Sequence, residues 1–289
     1  MNKKRAAAAV AVILLAAAAF SLYISAHGLT VTHYSLTSPK LTAPIRIVQL
    51  TDLHNSVFGE NNKRLTDKVS AQAPDLILIT GDLLNQNEER TDIAEGLISA
   101  MSGIAPVYVS FGNHEAGFAE RFGVDIRQIY TDAGAEVLEY AWQEVPVKGQ
   151  IVTIGGIYAY CLPKRVRESE RHDPLEYSFL TAFSEIDGYS ILMCHMPVSW
   201  LLYGSLEDWD IDCVLAGHSH GGQVRFPLVG GLWAPDQGWF PGRMSGVYRS
   251  KDGTRALVLS RGLGNTDKLP RFNNIPEILV LDLMPGEGG

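Results

Sequence analysis

Five apolar runs of strand-forming residues recur along the chain, and each ends at once in polar residues. The runs are residues 45–50, 75–80, 106–111, 189–194 and 213–216. Continuous apolar runs of this length are typical of strands that are buried on both faces of a parallel sheet. Amphipathic spacing predicts helices over residues 61–72 and 89–101, between the first three runs. Strands alternating with helices, followed by further strands after residue 223, predict an α/β fold in which two packed sheets carry helices outside.

The polar residues that follow these strands indicate where a functional site can form. In open α/β sheets, binding sites form outside the carboxyl ends of the strands, so residues distant in sequence meet there. Taken singly, an Asp in a turn or a His-x-His pair is equally typical of a protein surface. Their shared placement predicts one cluster, formed by Asp52, His54, Asp82, Asn113, His114, His195, His218 and His220.

Imidazole, carboxylate and amide groups together are the ligand set of a metal site. Without His114, the cluster offers seven oxygen or nitrogen ligands, which is more than one transition metal normally takes from a protein. Such a set fits two divalent metal ions with one bridging carboxylate. Mixed oxygen and nitrogen ligands without thiolate suit manganese, iron or zinc, and the sequence does not choose among these metals.

Five short motifs, in chain order, carry a resemblance to a known family. They are Asp-x-His at 52–54, Gly-Asp at 81–82, Gly-Asn-His-Glu at 112–115, His195, and Gly-His-x-His at 217–220. The whole series resembles the calcineurin-like metallophosphoesterase superfamily. Motifs further along, among them Gly-Gly-Gln-Val-Arg at 221–225, resemble its membrane-anchored bacterial YkuE/YaeI-like branch, so the resemblance extends over about residues 45 to 283. It implies the superfamily's fold, a four-layer αββα sandwich of two mixed β-sheets flanked by helices.

The resemblance also implies a role for each residue of the cluster. Asp52, His54 and His220 would hold the first metal, and Asn113, His195 and His218 would hold the second. Asp82 would bridge the two metals, and a metal-bridging hydroxide would attack the phosphorus. His114 would not bind metal but would donate to a phosphate oxygen or to the leaving group.

Four further residues are expected close to the cluster. Asn55 and Glu115 would fix a ligand or its loop, with simple turn polarity as the alternative. Gln223 and Arg225 would support the site or contact the substrate, with an ordinary position on a strand surface as the alternative.

The N-terminal residues form a separate unit. Lys3, Lys4 and Arg5 precede an uncharged run, residues 6–26, which is long enough to cross a bilayer core. A signal peptide shares this layout, but the run is long for a signal core and lacks a good small-x-small cleavage site, so we favour an uncleaved anchor. The charge bias predicts a single-pass cell-membrane protein with its domain outside the cytoplasm. The expected division is an anchor or signal segment at 1–26, a linker at 27–44 and a metallophosphoesterase domain at 45–285.

Net charge bears on the partners of the chain, and cysteine content bears on its disulfide bonds. The formal net charge of −8 argues against nucleic acid as a general partner. Three cysteines, Cys161, Cys194 and Cys213, do not make a disulfide framework, and the last two lie in apolar runs typical of buried residues. The expected partners of the chain, itself expected to be a monomer, are the membrane, through the N-terminal segment, and a phosphorylated small-molecule or lipid substrate.

Two features bear on the substrate, and each has an ordinary alternative. Residues 228–241 form an apolar loop with Trp233, Trp239 and Phe240, which either packs on its own sheet or lies at the membrane–water boundary. A set of cationic residues is either scattered over the surface or meets an anionic head group. This set consists of Arg243, Arg249, Arg261, Lys268 and Arg271.

The predicted function is hydrolysis of a phosphate monoester, a phosphate diester or a pyrophosphate bond at a dinuclear metal centre. A lipid-linked or envelope substrate, such as a UDP-diacylglucosamine-type pyrophosphate, is one candidate, although a domain outside the cytoplasm would not meet a cytosolic nucleotide-linked lipid. The alternative is a non-catalytic, metal-dependent binding or sensor protein at the membrane. His114 argues against that alternative, because metal binding alone does not need it. A third class, a Ser–His–Asp hydrolase, would keep its activity after chelation.

Overall fold

The computed structural model of the 289-residue chain describes residues 3–158, 174–265 and 269–286. Within these residues the chain forms two six-stranded sheets that pack face to face, with helices on both outer faces. The predicted four-layer αββα sandwich is therefore confirmed. The described helices are α1 Lys3–His27, α2 Lys63–Ser70, α3 Asp92–Ser102, α4 Asn113–Phe122, α5 Ile126–Asp132, α6 Pro174–Ser184, α7 Val198–Leu202 and α8 Ser205–Asp208.

The first sheet carries three of the five strands that end in predicted ligands. Its members are β1 Thr30–Ser38, β2 Ile45–Leu50, β3 Leu76–Thr80, β4 Val107–Ser110, β5 Glu136–Val137 and β16 Glu277–Pro285. Their order is β1-β16-β2-β3-β4-β5. Strands β2 to β5 run parallel, β16 runs antiparallel to β2, and β1 runs parallel to β16. Because β2, β3 and β4 are parallel neighbours, the loops that follow them emerge at one edge of the sheet.

The second sheet carries the other two of these strands. Its members are β6 Ala141–Val147, β7 Gln150–Ile157, β8 Tyr189–Cys194, β9 Cys213–Ala216, β14 Gly246–Arg249 and β15 Ala256–Leu259. Their order is β14-β15-β9-β8-β7-β6, with the four inner strands parallel and both edge strands antiparallel. Two short hairpins lie outside the sheets. They pair β10 Arg225–Phe226 with β11 Gly230–Gly231, and β12 Trp233–Ala234 with β13 Gly238–Trp239.

Strand β3 explains why the inner strands are continuously apolar. Its side chains alternate between the two faces of the sheet. Leu76 and Leu78 belong to the core between the two sheets, whereas Ile77 and Ile79 belong to the core beneath the helices of the first sheet. All four side chains are buried, so both faces of the strand require apolar residues.

The predicted linker, residues 27–44, is wrong over half of its length, because that half is a strand. Strand β1 occupies residues 30–38 and pairs along its whole length with β16, from Thr30 opposite Glu277 to Ser38 opposite Pro285. The strand lies at the edge of the sheet, and most of its side chains are exposed or half-buried. Its Thr and Ser residues suit such a position, but their polarity is also typical of a linker.

Strand β6 is a second edge strand that the sequence analysis did not predict. Its pairing with β7 covers residues 141–147, and all of its side chains except Val145 are exposed or half-buried. Residues 162–177 are rich in charge, and the sequence predicts a mobile cover or a helix there. Residues 159–173, among them Cys161, lie outside the described residues. Helix α6 begins at Pro174.

Helix α1 is the one helix of the described chain that is long and apolar enough to cross a membrane. Its large side chains, such as Leu14, Leu15 and Phe20, are exposed. By length and composition the helix fits a membrane span and equally a signal sequence.

Candidate metal centre

The loops at the carboxyl ends of β2, β3, β8 and β9 bring six of the seven predicted ligands together. Among the described residues, three groups of side chains have potential ligand atoms that all lie within 4.8 Å of one another. The groups are Asp52–His54–His220, His54–Asp82–His114 and Asp82–His195–His218. Because His54 and Asp82 each belong to two groups, the three groups form one continuous cluster between the two sheets.

The distances within the cluster are those of atoms that share a metal ion. His54 Nε2 lies 3.2 Å from His220 Nε2, and His220 Nε2 lies 3.4 Å from Asp52 Oδ1. Ligands about 2.1 Å from a common ion lie about 3.0–3.4 Å apart when they are adjacent in its coordination sphere. Asp82 Oδ2 lies 3.1 Å from His195 Nε2 and 3.6 Å from His54 Nε2. This single oxygen therefore lies between the two halves of the cluster, as a bridging ligand must.

Two buried polar atoms support the same interpretation. Asn113 Oδ1 is buried and makes no hydrogen bond, and buried His195 Nε2 faces the carboxylate oxygen Asp82 Oδ2 at 3.1 Å. A buried polar atom without a partner, such as Asn113 Oδ1, is rare in folded proteins because its desolvation is not offset. His195 Nδ1 lies 2.6 Å from the Thr80 carbonyl oxygen, to which it donates, so the lone pair of Nε2 is left for a metal. The residues present therefore fit a pair of divalent metal ions.

The electrostatics of the site favour cations. Burial would raise the pKa of Asp82, but the neighbouring imidazoles of His195, His54 and His114 hold that pKa well below its usual range. Burial opposes a charge on His195, yet Asp82 and Asp52 raise the pKa of His195 to about 10. The carboxylates therefore attract positive charge. In the metal-free protein protons supply this charge, and bound metal ions would replace those protons.

Five of the predicted ligands have left-handed backbone conformations. Their φ angles are 54° at Asp52, 46° at His54, 55° at Asp82, 67° at His218 and 46° at His220. This conformation is uncommon for residues other than glycine, and it clusters at functional sites where the surrounding structure enforces it. The sharp turns direct several side chains from short loops toward one point.

Two glycines permit the loops to approach the carboxylates. A Cβ atom on Gly112 would lie against Asp82 Oδ1, and one on Gly217 would lie against Thr51 Oγ1 and 2.5 Å from Asp52 Oδ2. Side chains at these two positions would therefore displace the carboxylates that line the site. The glycines in the predicted motifs have this direct steric role.

His114 lies beside the cluster with one nitrogen already occupied. Its Nδ1 accepts a hydrogen bond of 3.2 Å from the Gln86 backbone N–H, so a neutral His114 carries its proton on Nε2. Its ring packs edge-on against the His54 ring at a centroid distance of 4.3 Å. The backbone N–H of His114 donates to Asp82 Oδ1, which also fixes the position of the preceding residue, Asn113.

Glu115 is fully buried and organises the loops after β3 and β4. Its carboxylate accepts hydrogen bonds from the backbone N–H groups of Asp82, Leu83 and Gly112, at 2.7–2.9 Å. The Tyr130 hydroxyl donates a fourth bond. Asn55 contacts a more exposed group, because its Nδ2 donates to Glu88 at 3.0 Å. Both residues thus contact loops of the site, and Glu115 contacts the backbone of a predicted ligand.

Gln223 and Arg225 brace the loop that follows His220. The Gln223 side chain donates to the Leu269 carbonyl oxygen, and the Arg225 guanidinium donates to the Gly221 carbonyl oxygen at 2.9 Å. Burial lowers the pKa of Arg225. These contacts place both residues as supports of the loop.

Asp236 is a site residue that the sequence analysis missed. It lies in the turn between β12 and β13, and its Oδ2 lies 3.1 Å from His218 Nε2. A carboxylate that accepts from one imidazole nitrogen leaves the other nitrogen for a metal. Asp236 follows no predicted strand and belongs to none of the five motifs, so its sequence position carried no signal.

Arg271 was expected either on the surface or at an anionic head group, but it is buried next to His220. Its guanidinium donates to the Gly264 and Arg261 carbonyl oxygens at 2.7 Å and lies 3.5 Å from His220 Nδ1. Burial lowers the pKa of Arg271 to about 10. Of the other cations, Arg261 pairs with Glu277 at 2.9 Å. Lys268 lies outside the described residues.

Ser219 has no part in this chemistry, although residues 217–221 have the spacing Gly-x-Ser-x-Gly of a serine-hydrolase elbow. Its hydroxyl is buried and donates to the Met244 carbonyl oxygen at 3.2 Å. A serine nucleophile instead requires a histidine that accepts its proton. The geometry around Ser219 therefore favours metal chemistry over a Ser–His–Asp mechanism.

Comparison with known proteins agrees with this site. Residues 45–222 match the calcineurin-like phosphoesterase family. Phosphodiesterase YaeI of Escherichia coli (strain K12) is 29% identical over 252 residues, which cover 84% of this chain and 83% of that protein. The uncharacterized metallophosphoesterase YkuE of Bacillus subtilis (strain 168) is 25% identical over 273 residues, or 91% of this chain and 88% of YkuE.

A pyrophosphatase is also among the relatives. UDP-2,3-diacylglucosamine pyrophosphatase LpxG of Chlamydia muridarum (strain MoPn / Nigg) is 22% identical over 285 residues, which cover 82% of this chain and 83% of LpxG. The family match spans more than half of the chain and contains all five strand-end motifs. The chain therefore belongs to the calcineurin-like phosphoesterase family.

Proposed function

We propose that this metal-dependent phosphoester hydrolase holds two divalent metal ions and cleaves a phosphate ester or pyrophosphate bond in a substrate at the membrane. The observation that carries the proposal is the position of Asp82, whose Oδ2 lies within 3.6 Å of imidazole nitrogens from both halves of the cluster. A single carboxylate shared in this way suits two ions rather than one. Two divalent ions, when bound, activate water and polarise the oxygens of the phosphoryl group.

The chain's own residues would position the ions and the substrate. In this proposal the first ion is held by Asp52, His54 and His220, the second by Asn113, His195 and His218, and both by Asp82. The loop contacts of Glu115 and the buried guanidinium of Arg271 keep these ligands in place without binding metal. All of the proposed ligands are buried or half-buried.

His114 would supply the proton that the leaving group needs. Because the Gln86 N–H donates to Nδ1, the donor of a neutral His114 is its Nε2–H. Donation from this atom to the leaving oxygen is general-acid catalysis, which typically contributes about 10²–10⁴-fold in rate. A protein that only bound metal would not need this residue, so His114 favours the enzyme over the alternative of a metal-dependent sensor.

A lipid-linked phosphodiester or pyrophosphate is the proposed substrate class. Two of the relatives are named a phosphodiesterase and a UDP-2,3-diacylglucosamine pyrophosphatase, and these names support phosphodiester and pyrophosphate bonds as candidates here. Helix α1 supports a membrane location, as a single span with the domain outside the cytoplasm. That orientation favours a lipid substrate in the outer leaflet over a cytosolic nucleotide-linked lipid. Alkaline phosphatase fused after residue 286 tests this orientation, because the fused enzyme would be inactive if the domain lay in the cytoplasm.

The decisive experiment is a metal and activity measurement on the full chain in detergent. We expect about two ions per chain after loading with manganese, and turnover of p-nitrophenyl phosphate or bis-p-nitrophenyl phosphate. Preference between the two esters separates a monoesterase from a diesterase. Two bound ions without turnover of either ester, or of a lipid pyrophosphate, would favour the sensor. Failure to bind metal would overturn the proposal.

A further inference from the structure

The last two turns of helix α1 are attached to the domain rather than free of it. The Asn273 backbone N–H donates to Ser21 Oγ at 3.0 Å, and the Asn274 backbone N–H donates to Ser25 Oγ at 3.1 Å. Ser21 and Ser25 are four residues apart and share one face of the helix. The Arg64 guanidinium also donates to the His27 carbonyl oxygen. The domain therefore contacts the helix from Ser21 to its C-terminal end, a length of about 9 Å at 1.5 Å per residue.

This attachment places the domain at the level of the membrane surface. The helix from residue 6 to residue 20, ahead of Ser21, is only about 22 Å long. A bilayer core is about 30 Å thick. A helix that spans it would therefore also need the residues from Ser21 to Ser25, which Asn273 and Asn274 contact. The backbone at residues 273–274 must then lie at the boundary between the apolar core and the head groups.

Five exposed apolar side chains lie on two hairpins near this attachment, and we call them the apolar rim. They are Phe226, Leu228, Val229, Trp239 and Phe240. Leu228 is fully exposed, and the exposed fractions of the other four range from 42% to 67%. A cluster of exposed apolar residues of this kind marks an interaction surface more often than a solvated one.

Backbone pairing joins the apolar rim to the attachment of α1. Val224 forms a β-bridge with Phe272, the residue before Asn273. The Leu232 N–H donates to the Val224 carbonyl oxygen at 2.7 Å, and the Phe240 N–H donates to the Leu232 carbonyl oxygen at 2.8 Å. Four short segments thus lie side by side, about 4.8 Å from one to the next. The backbone of Phe240, at one end of the apolar rim, is therefore within about 15 Å of Phe272, the residue before the one that contacts Ser21.

We propose that the apolar rim inserts into the membrane–water interface beside α1 and that its occupant is the lipid bilayer. This inference rests on the proposed role of α1 as a membrane span. Trp and other aromatic side chains favour that interface, and the rim contributes three of them. The same hairpins carry Asp236, which contacts His218, so the insertion would hold the metal centre at the level of the lipid head groups.

Tryptophan quenching by brominated lipid tests the proposal on the full chain. The chain is incorporated into phosphatidylcholine vesicles with and without brominated acyl chains, and indole fluorescence is compared. Because α1 contains no tryptophan, the quenching reports contacts of the domain. We expect quenching of the wild-type protein and loss of at least half of it in Trp239→Phe. The matched control is Trp142→Phe, whose indole is 42% exposed on the far edge strand β6 and should leave the quenching unchanged.

A second variant tests the insertion without replacing a tryptophan. Leu228→Ser combined with Val229→Ser should lower the quenching of Trp239 at least twofold while the vesicle-bound fraction stays the same. Absence of quenching in a vesicle-bound wild-type chain would overturn the proposal, and a cross-linked dimer in that case would assign the rim to a second copy. A chain that does not float with vesicles would overturn the membrane span and the insertion together. Neither result would affect hydrolysis of the soluble esters, which tests the metal centre separately.

Discussion

His54 and His220, from loops on different sheets, place their Nε2 atoms 3.2 Å apart. His54 follows β2 of the first sheet, and His220 follows β9 of the second. Burial, together with the neighbouring His54 and Arg271, holds the pKa of His220 well below its usual range, so the ring is neutral and able to bind metal. A metal ion held by both imidazoles would join the two sheets at the edge where their loops meet.

Removal of the metal is therefore expected to destabilise the fold. A ligand that binds only the folded state at about 100 times its dissociation constant adds about 2.7 kcal/mol to the free energy of unfolding. We expect EDTA to lower the Tm of the manganese-loaded protein, and added manganese to restore it. In His54→Ala the chelator should shift the Tm less, whereas replacement of the exposed His33 by Ala should preserve the full shift. An equal shift in both variants would exclude His54 as a ligand.

Metal binding and catalysis should separate between His195 and His114. His195→Ala removes the imidazole next to Asp82 Oδ2, so we expect loss of metal and of activity together. His114→Ala removes a proton donor that is not a proposed ligand, so metal content should persist while kcat falls by about 10²–10⁴-fold. Metal content by elemental analysis, measured beside kcat on the preferred ester, distinguishes the two roles. Equal loss of metal in both variants would make His114 a ligand.

The clustering of the proposed ligands was predictable because each one lies within a few residues of a strand end. The parallel order of β2, β3 and β4, and of β8 and β9, brings such residues together without any knowledge of side-chain packing. Asp236 and Arg271 were not predictable in this way. They reach the cluster from loops that follow none of the five predicted strand ends, and only the folded chain brings them there.

The predictability of the fold was limited in a similar way. Inner strands such as β3 are buried on both faces and carry a strong apolar signal. The edge strands β1 and β6 leave most of their side chains exposed or half-buried, so neither strand needs a continuous apolar run. Their pairing with β16 and β7 is decided by backbone hydrogen bonds, which leave little trace in the sequence.

Asp236 should orient His218 for the second metal ion. Its Oδ2 lies 3.1 Å from His218 Nε2, and partners of this kind typically account for about 10–100-fold in metal affinity. We expect Asp236→Ala to weaken binding of the second ion by that factor while the first ion stays bound, as measured by calorimetric titration with manganese. Asp67→Asn, on the exposed surface of α2, is the matched control and should change neither affinity. Unchanged binding of both ions in Asp236→Ala would limit Asp236 to shaping its turn.

Glu115 is not a proposed ligand, but we expect its carboxylate to stabilise the fold and to support metal binding. It accepts three backbone N–H groups and the Tyr130 hydroxyl, so all of its partners are donors. Glu115→Gln would turn an amide NH₂ toward one of them, and a buried donor left without an acceptor costs about 1–3 kcal/mol. We expect denaturant unfolding to report a loss of that size, with weaker metal binding because the Asp82 loop is no longer held. Tyr130→Phe removes only one of the four bonds and should cost about 1 kcal/mol with metal affinity intact. If Glu115→Gln lowered stability no more than Tyr130→Phe and left metal affinity unchanged, the carboxylate would not organise the loops after β3 and β4.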